Sequence, residues 1–387
     1  MHPGHQPLLK PMRYAALIAL AAMLILPACH SEAPSSTEYA ERPDAVEARI
    51  DLELGTADGE APYLFGRITG VAATDDHLFV ADQQGHTIRA YALDGTYRFT
   101  VATAGEGPGE VQQPCCLTLG PNGQLWARDN GNRRYVQYRL TADRAEPQAT
   151  IRMDHGHFRS AAVTFDPEDN LIDIGGGVEA NGTRLGRARI HRSMTNETVR
   201  TVGIPEAPEG RVPMAEVPFE QGLMFIPQPM GPLLRDAHGP GGDWAFTITD
   251  RYDVTWFDAA GDTLHVLTRD VTGPELSEEE RMSARRSLQE RIDRMDVGLS
   301  DLPFGIPSRK PPIETIFFDT DGRLWVQRSV EDGAPNEADV YARDGTLAQV
   351  VQWPAGIDLS SGHLTADTLY GIRQGSDTFP QVVRLRY

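Results

Sequence analysis

One layout recurs along this chain at a nearly fixed interval, and it limits the fold more than any other feature. The stretches DDHLFVADQQGHTIRAYALDG (75–95) and NGQLWARDNGNRRYVQYRLT (122–141) each pass through a turn, a β-rich strand ending in Asp82 or Asp129, a polar loop, and an alternating strand carrying Tyr91 or Tyr138. Weaker echoes follow in EDNLIDIGGG (168–177), GGDWAFTITDRYDVTWFDAAGD (241–262), TDGRLWVQRS (320–329) and ADTLYGIRQGS (366–376). Anchoring each unit on its first strand apolar gives Leu78, Leu125, Leu171, Trp244, Leu324 and Leu369, at spacings of 47, 46, 73, 80 and 45. Three spacings match the roughly 40–50 residues of a four-stranded propeller blade, and the two long ones each hold an insertion. Asp94-Gly95, Asp321-Gly322 and Asp344-Gly345 fall where hairpins must turn. The expected fold class is therefore all-β, a six-bladed β-propeller with a short helical insertion. A strand near VEARIDLEL (46–54) is expected to pair with QVVRLRY (381–387), which closes the ring and removes an exposed sheet edge.

The run GEGPGEVQQPCCLTLGPNGQLWARDNGNRRYVQYRL (105–140) resembles the NHL-repeat pattern of a Gly-rich interblade turn, a proline, a strand and an Asp-x-x-Asn-x-Arg element. The matching positions are Gly105, Gly107 and Gly109, Pro114, then Gly123, Leu125, Asp129, Asn132, Arg134 and Tyr138; the first unit matches through Asp82, His86, Ile88 and Tyr91. The resemblance covers residues 75 to 141 and fades beyond them. Together with the N-terminal features below, the chain is similar to the NHL-repeat-like six-bladed propeller lipoproteins of bacteria. That likeness implies a fold and a location rather than an activity.

Lys10 and Arg13 precede thirteen apolar residues (14–26), a secretory signal too short for the roughly 20 residues of a spanning helix. The signal ends in Leu26-Pro27-Ala28-Cys29, which resembles the bacterial lipobox and makes Cys29 the expected lipidated N-terminus. Residues 1–28 are then signal peptide, 29–44 a polar flexible tether, and 45–387 the propeller. Removing 1–28 leaves 34 basic against 55 acidic side chains, a net charge of −21, which repels phosphate backbones and excludes nucleic acid as a partner.

Of the two insertions, the proline-rich one (212–234) carries Phe219, Met224, Phe225 and Ile226. These side chains are expected to pack over a blade, with a binding surface as the alternative. The other (276–295) reads as a helix: Ser277 and Glu280 fit a capping box, and Leu288, Ile292 and Met295 share a face. It is expected to dock on a propeller face, with a cap over the central channel as the alternative.

No GxSxG, HExxH, P-loop or spaced CxxC motif is present, so no catalytic residue, metal or cofactor is assigned. His155 and His157 flank one glycine without further ligands, and the carboxylates of DPEDN (166–170) and DTDG (319–322), though suggestive of calcium, fall at hairpin turns. Cys115 and Cys116 begin the expected innermost strand of the second blade. Two ligands from one short stretch do not make a structural zinc site. Packed free thiols are the favoured reading, ahead of a vicinal disulfide and of a redox or metal role. The same register places Arg67 with Thr69, Arg159 with Ser160, Glu314 with Thr315, and His363 at the starts of other innermost strands. Arg67, Cys115, Cys116, Arg159, Glu314 and His363 therefore form the candidate ligand ring. The expected function is a lipid-anchored cell-envelope module, facing the periplasm or exterior and binding a protein, peptide or glycan. The alternative is a calcium-dependent hydrolase or lyase of the six-bladed type, for which Glu314 is the one inward acid.

Overall fold

The computed structural model describes residues 42–153, 162–178, 184–219, 222–293, 295, 297–375 and 378–387. Period-two alternation along short strands separated by turns produces six blades, five of them four-stranded antiparallel meanders in chain order and the last completed by an N-terminal strand. Their innermost strands are Ile68–Ala73, Pro114–Leu119, Thr164–Phe165, Leu234–His238, Ile313–Phe318 and Ile357–Leu364. All six repeat anchors lie on the second strand of a blade and are 0–1% exposed. The chain is a six-bladed β-propeller.

Ring closure uses the N-terminal segment. Arg49–Leu54 pairs antiparallel with Thr378–Arg386 as the outer strand of blade 6, from Arg49 opposite Arg386 to Leu54 opposite Val382. Just before it, Ala45–Glu47 adds in parallel to Leu347–Trp353, the outer strand of blade 5. One run of chain thus ties two neighbouring blades together.

The repeat residues act as fasteners between units. Asp82 accepts hydrogen bonds from the backbone N–H groups of Gly66, Arg67 and Gly85, and Asp129 accepts them from Gln112, Gln113 and Asn132. A carboxylate ending the second strand therefore holds the linker that feeds its own blade's first strand. The Gly-rich turn is held likewise: Arg134 donates to the carbonyls of Glu106, Gly107 and Glu110, Asn132 Nδ2 to that of Gly105, and Tyr138 to that of Gly109.

The two insertions pack on one another. Residues 214–227 form a separate two-stranded hairpin, Met214–Phe219 with Gly222–Pro227. Its Ala215, Val217 and Ile226 bury against Leu288 and Ile292 of the helix Glu278–Ile292. The capping box forms, with Ser277 accepting from the Glu280 N–H and Glu280 accepting from the Ser277 N–H. Lys310 pairs with Glu280 and donates to the carbonyl of Val330, which fixes the pair of insertions against blade 5.

Five of the six seams between blades are filled by apolar clusters. Among the described residues none spans blades 3 and 4, and charges bridge them instead. Arg187 pairs with Asp236 at 2.6 Å, and Arg189, fully buried, donates to the carbonyl of Gly242 at 2.6 Å and lies 5.3 Å from the Trp244 ring. Within blade 3, Nδ1 of buried His191 lies 2.7 Å from Asp166 Oδ2. Burial, reinforced by Arg189 and Arg200 and only partly opposed by Asp166, pushes His191 down to about 4.

Two outcomes follow from this packing. A Cβ at Gly70 would meet the backbone N of Cys116 at 2.6 Å and of Leu117 at 2.8 Å, so Gly70→Ala should lower stability by about 2 kcal/mol in urea unfolding. His191 stays neutral in the fold but takes a proton at its ordinary 6.5 when unfolded. The unfolded chain therefore binds more protons between pH 6.5 and about 4, and stability falls across that window by on the order of 3 kcal/mol. Unfolding free energies at pH 7 and pH 4.5 should differ less for His191→Gln than for the unaltered chain.

Candidate functional site

A cavity of about 1320 Å³ occupies the centre of the ring, lined by residues from the innermost strand of every blade. Thr69, Cys116 and Thr118, Thr164, Asp236 and His238, Thr315 and Phe317, and Ser361 and His363 contribute in blade order. The hydroxyls of Thr118, Thr164 and Thr315 have no hydrogen-bond partner among the described residues, whereas Thr69 donates to the carbonyl of Pro114 at 2.8 Å and so links blades 1 and 2.

Of the ring read from the sequence, Arg67, Cys116 and His363 line this cavity. Arg67 is exposed, with no side-chain partner among the described residues. His363 is pushed down to about 4 by burial, against the pull of Asp321, and is a neutral imidazole at pH 7. Cys115 is wholly buried and is not part of the lining. Glu314 also lies elsewhere. It is the extra residue of a β-bulge, between Ile313 opposite Arg328 and Thr315 opposite Gln327. The bulge places it in a second cavity of about 300 Å³, with Met230 and Arg235 of blade 4's approach and Leu288 and Arg291 of the inserted helix. Arg159 lies outside the described residues, as do Ser160, His155, His157 and Cys29.

Asp236 and His238 belong to the site but are not evident from the repeat. His238 Nε2 lies 2.9 Å from Asp236 Oδ2, and Arg187 donates to Asp236 Oδ1. Burial alone would raise the Asp236 carboxyl, but His238 and Arg187 outweigh it and hold the group well below the usual carboxylate range. Burial, aided by Arg189 and Arg187, also holds His238 below the usual histidine range. The compensated Asp236–Arg187 pair therefore stands in a lining that also carries Arg67, Asp75, Asp169, Asp358, Asp367 and Arg386. Spacing would have found Asp236 and His238: Leu234–His238 precedes Trp244 by about the interval at which Ile313–Phe318 precedes Leu324.

The preference for free thiols is corrected: Cys115 and Cys116 are joined in a vicinal disulfide. Cys116 takes φ of +59°, in the left-handed region, at a bulge between Cys115 opposite Arg128 and Thr118 opposite Trp126. That conformation lets neighbouring side chains meet where a regular strand would point them to opposite faces. Among the described residues, none that lines the central cavity comes from the inserted hairpin or helix, so neither caps it.

The turn carboxylates are used by their own turns. Asp166 accepts from the N–H groups of Glu168 and Asn170, and Asp319 from those of Asp321 and Arg323, from the Arg323 guanidinium and from Trp325 Nε1 at 2.9 Å. Among the described residues, no group of three or more His, Cys, Asp or Glu side chains is placed to hold a metal ion.

No family model matches this chain, and no curated protein matches it in sequence. Solved structures that align with it include a protein of Bacteroides fragilis described as exported, at 11% identity over 90% of this chain and 98% of that one, with a TM-score of 0.49. Virginiamycin B lyase from Staphylococcus aureus aligns at 12% identity over 87% and 98%, with a TM-score of 0.42. The PQQ-bound aldose sugar dehydrogenase of Streptomyces coelicolor aligns at 11% over 88% and 97%, with a TM-score of 0.41. Likeness at this level transfers no activity from these proteins to this chain, whose six blades are read from its own sheets.

Proposed function

We propose that this protein is a lipid-anchored binding module of the bacterial cell envelope that takes an oligosaccharide segment in its central cavity. The observation that carries the reading is the lining itself. Hydroxyls from Thr118, Thr164, Thr315 and Ser361 and the two neutral imidazoles of His238 and His363 converge from blades 2 to 6. Hydroxyls and neutral imidazoles both give and accept hydrogen bonds, which suits a polyhydroxylated ligand. Exposed Arg67 sits on the cavity wall, where a carboxylate or other acidic substituent of such a ligand would meet it. The anchor rests on the signal run and on Leu26-Pro27-Ala28-Cys29.

Thermal-shift measurements on the full chain with cell-wall oligosaccharides, short peptides, and calcium with and without chelator test the ligand class. An oligosaccharide should raise Tm by a few degrees in the unaltered protein and by much less in Thr315→Val and His363→Ala. Stabilisation by peptide alone, or an oligosaccharide shift that survives both substitutions, would refute the reading. For the anchor, Cys29→Ala should move the protein from the membrane fraction to the soluble fraction, and equal membrane retention would remove the lipid from the account.

A further inference from the structure

The two joined sulphurs have unlike surroundings. Cys116 lines the central cavity, whereas Cys115 is 0% exposed and directed into blade 2. Cys115 and Arg128 are opposite one another across the strand ladder, so their side chains leave the same face of the sheet. Arg128 is itself buried, at 2% exposed, and its Nε donates to Asn130 Oδ1 at 2.8 Å. The amide Nδ2 of Asn130 in turn lies 3.6 Å from Cys115 Sγ. The chain of donors therefore runs from a guanidinium through an amide to a sulphur.

Arg128 has no carboxylate partner among the described residues, and one of its terminal nitrogens is buried without a hydrogen bond. Beyond Asn130, it lies 5.7 Å from the Tyr135 ring. A buried guanidinium lacking an anion is expensive to maintain. A thiolate on Cys115 would supply that anion, while the disulfide does not. The backbone adds to this: Cys116 is a non-glycine residue at φ +59°.

We propose that Cys115–Cys116 is a thiol-exchange site for low-molecular-weight thiols, in which Cys116 is the sulphur attacked from the channel and Cys115 the leaving group. The incoming thiolate forms a new S–S bond to Cys116 Sγ, the Cys115–Cys116 bond breaks, and its electron pair remains on Cys115 Sγ as a thiolate held by Asn130. A second thiolate attacks the external sulphur of the mixed disulfide, releasing the oxidised small-molecule disulfide and leaving Cys116 as thiolate. Two thiols are oxidised and one protein disulfide is reduced. In the reverse direction Cys115 thiolate expels the small thiol from Cys116 and the ring closes. Asn130 touches the reacting sulphur, and Arg128 acts through it as a positioning residue. A lower pKa of the leaving thiol speeds its departure, which is the effect that the donors on Cys115 produce. The exchange does not depend on what the channel binds.

Reduced glutathione is the probe. The full chain, purified without reductant, is incubated with it, quenched with N-ethylmaleimide and mapped by tandem mass spectrometry. Before glutathione, neither Cys115 nor Cys116 should carry maleimide; afterwards glutathione should sit on Cys116 and maleimide on Cys115. Asn130→Ala should slow adduct formation about tenfold and move the alkylation profile of reduced Cys115 to higher pH, a change that loosened packing alone would not produce. Glutathione on Cys115, free thiols at the outset, no adduct, or an unchanged rate and pH profile in Asn130→Ala would each overturn the assignment. The position of the adduct in the unaltered chain decides the question even where the variant fails to fold.

Discussion

A propeller built from one chain has to join its first sheet to its last, because two open edges would otherwise leave unpaired N–H and C=O groups and a gap in the ring. Here Arg49–Leu54 completes blade 6 from the opposite end of the sequence. The strand is held by more than its ladder: Arg384 donates to Asp51 at 2.7 Å, and Arg373 pairs with Glu53 at 2.6 Å. Exposed pairs of this kind add little individually. The apolar side chains of the closing strands add more, with Leu54 buried among blades 1 and 6. Everything at the centre depends on this closure. The cavity exists because six innermost strands are kept facing one axis, and a ring free to open would spread Thr69, His238 and His363 apart.

The seams set how stability is distributed around the ring. Five are apolar, and apolar burial is insensitive to pH. The seam between blades 3 and 4 depends on ionised and hydrogen-bonded groups, among them Arg187, Arg189, Asp236 and His238. Burial lowers Arg189 to about 9, against a usual value of 12.5. The side of the propeller at blades 3 and 4 therefore relies on titratable groups where the other seams have an apolar filling. The same charged groups stand directly behind the cavity wall, so the wall residues Asp236 and His238 share their fate.

Much of the fold was legible because the repeat is carried by residues with a job inside each unit. In blades 1 and 2 an apolar residue lies near the start of the second strand, an aspartate ends it and fastens the preceding linker, and a tyrosine on the third strand reaches back to a loop, Tyr91 to Pro62 and Tyr138 to Gly109. Ser277 and Glu280 announced the helix for an equally local reason. The site was less legible, since its residues are selected by register rather than by type. Glu314 was placed in the ring because it stands at the start of an aligned innermost strand, and as the extra residue of a bulge it lies in the second cavity instead. Asp236 and His238 went unseen because the proline-rich hairpin before them hides the short strand that carries them. The disulfide depends on the backbone of Cys116, which composition does not encode.

The hairpin and the helix enter the chain on either side of blade 4, yet their apolar faces cover each other, Ile226 and Val217 meeting Leu288 and Ile292. The segment after the helix, with Val297, Leu299, Leu302, Phe304 and Ile306, packs against the same cluster. Deleting one insertion in a descendant of this protein would uncover a greasy surface on the other, and an exposed surface of that kind promotes aggregation. The two are therefore inherited as a unit: a lineage keeps both or sheds both, and a relative carrying just one should show polar residues where the missing partner used to sit.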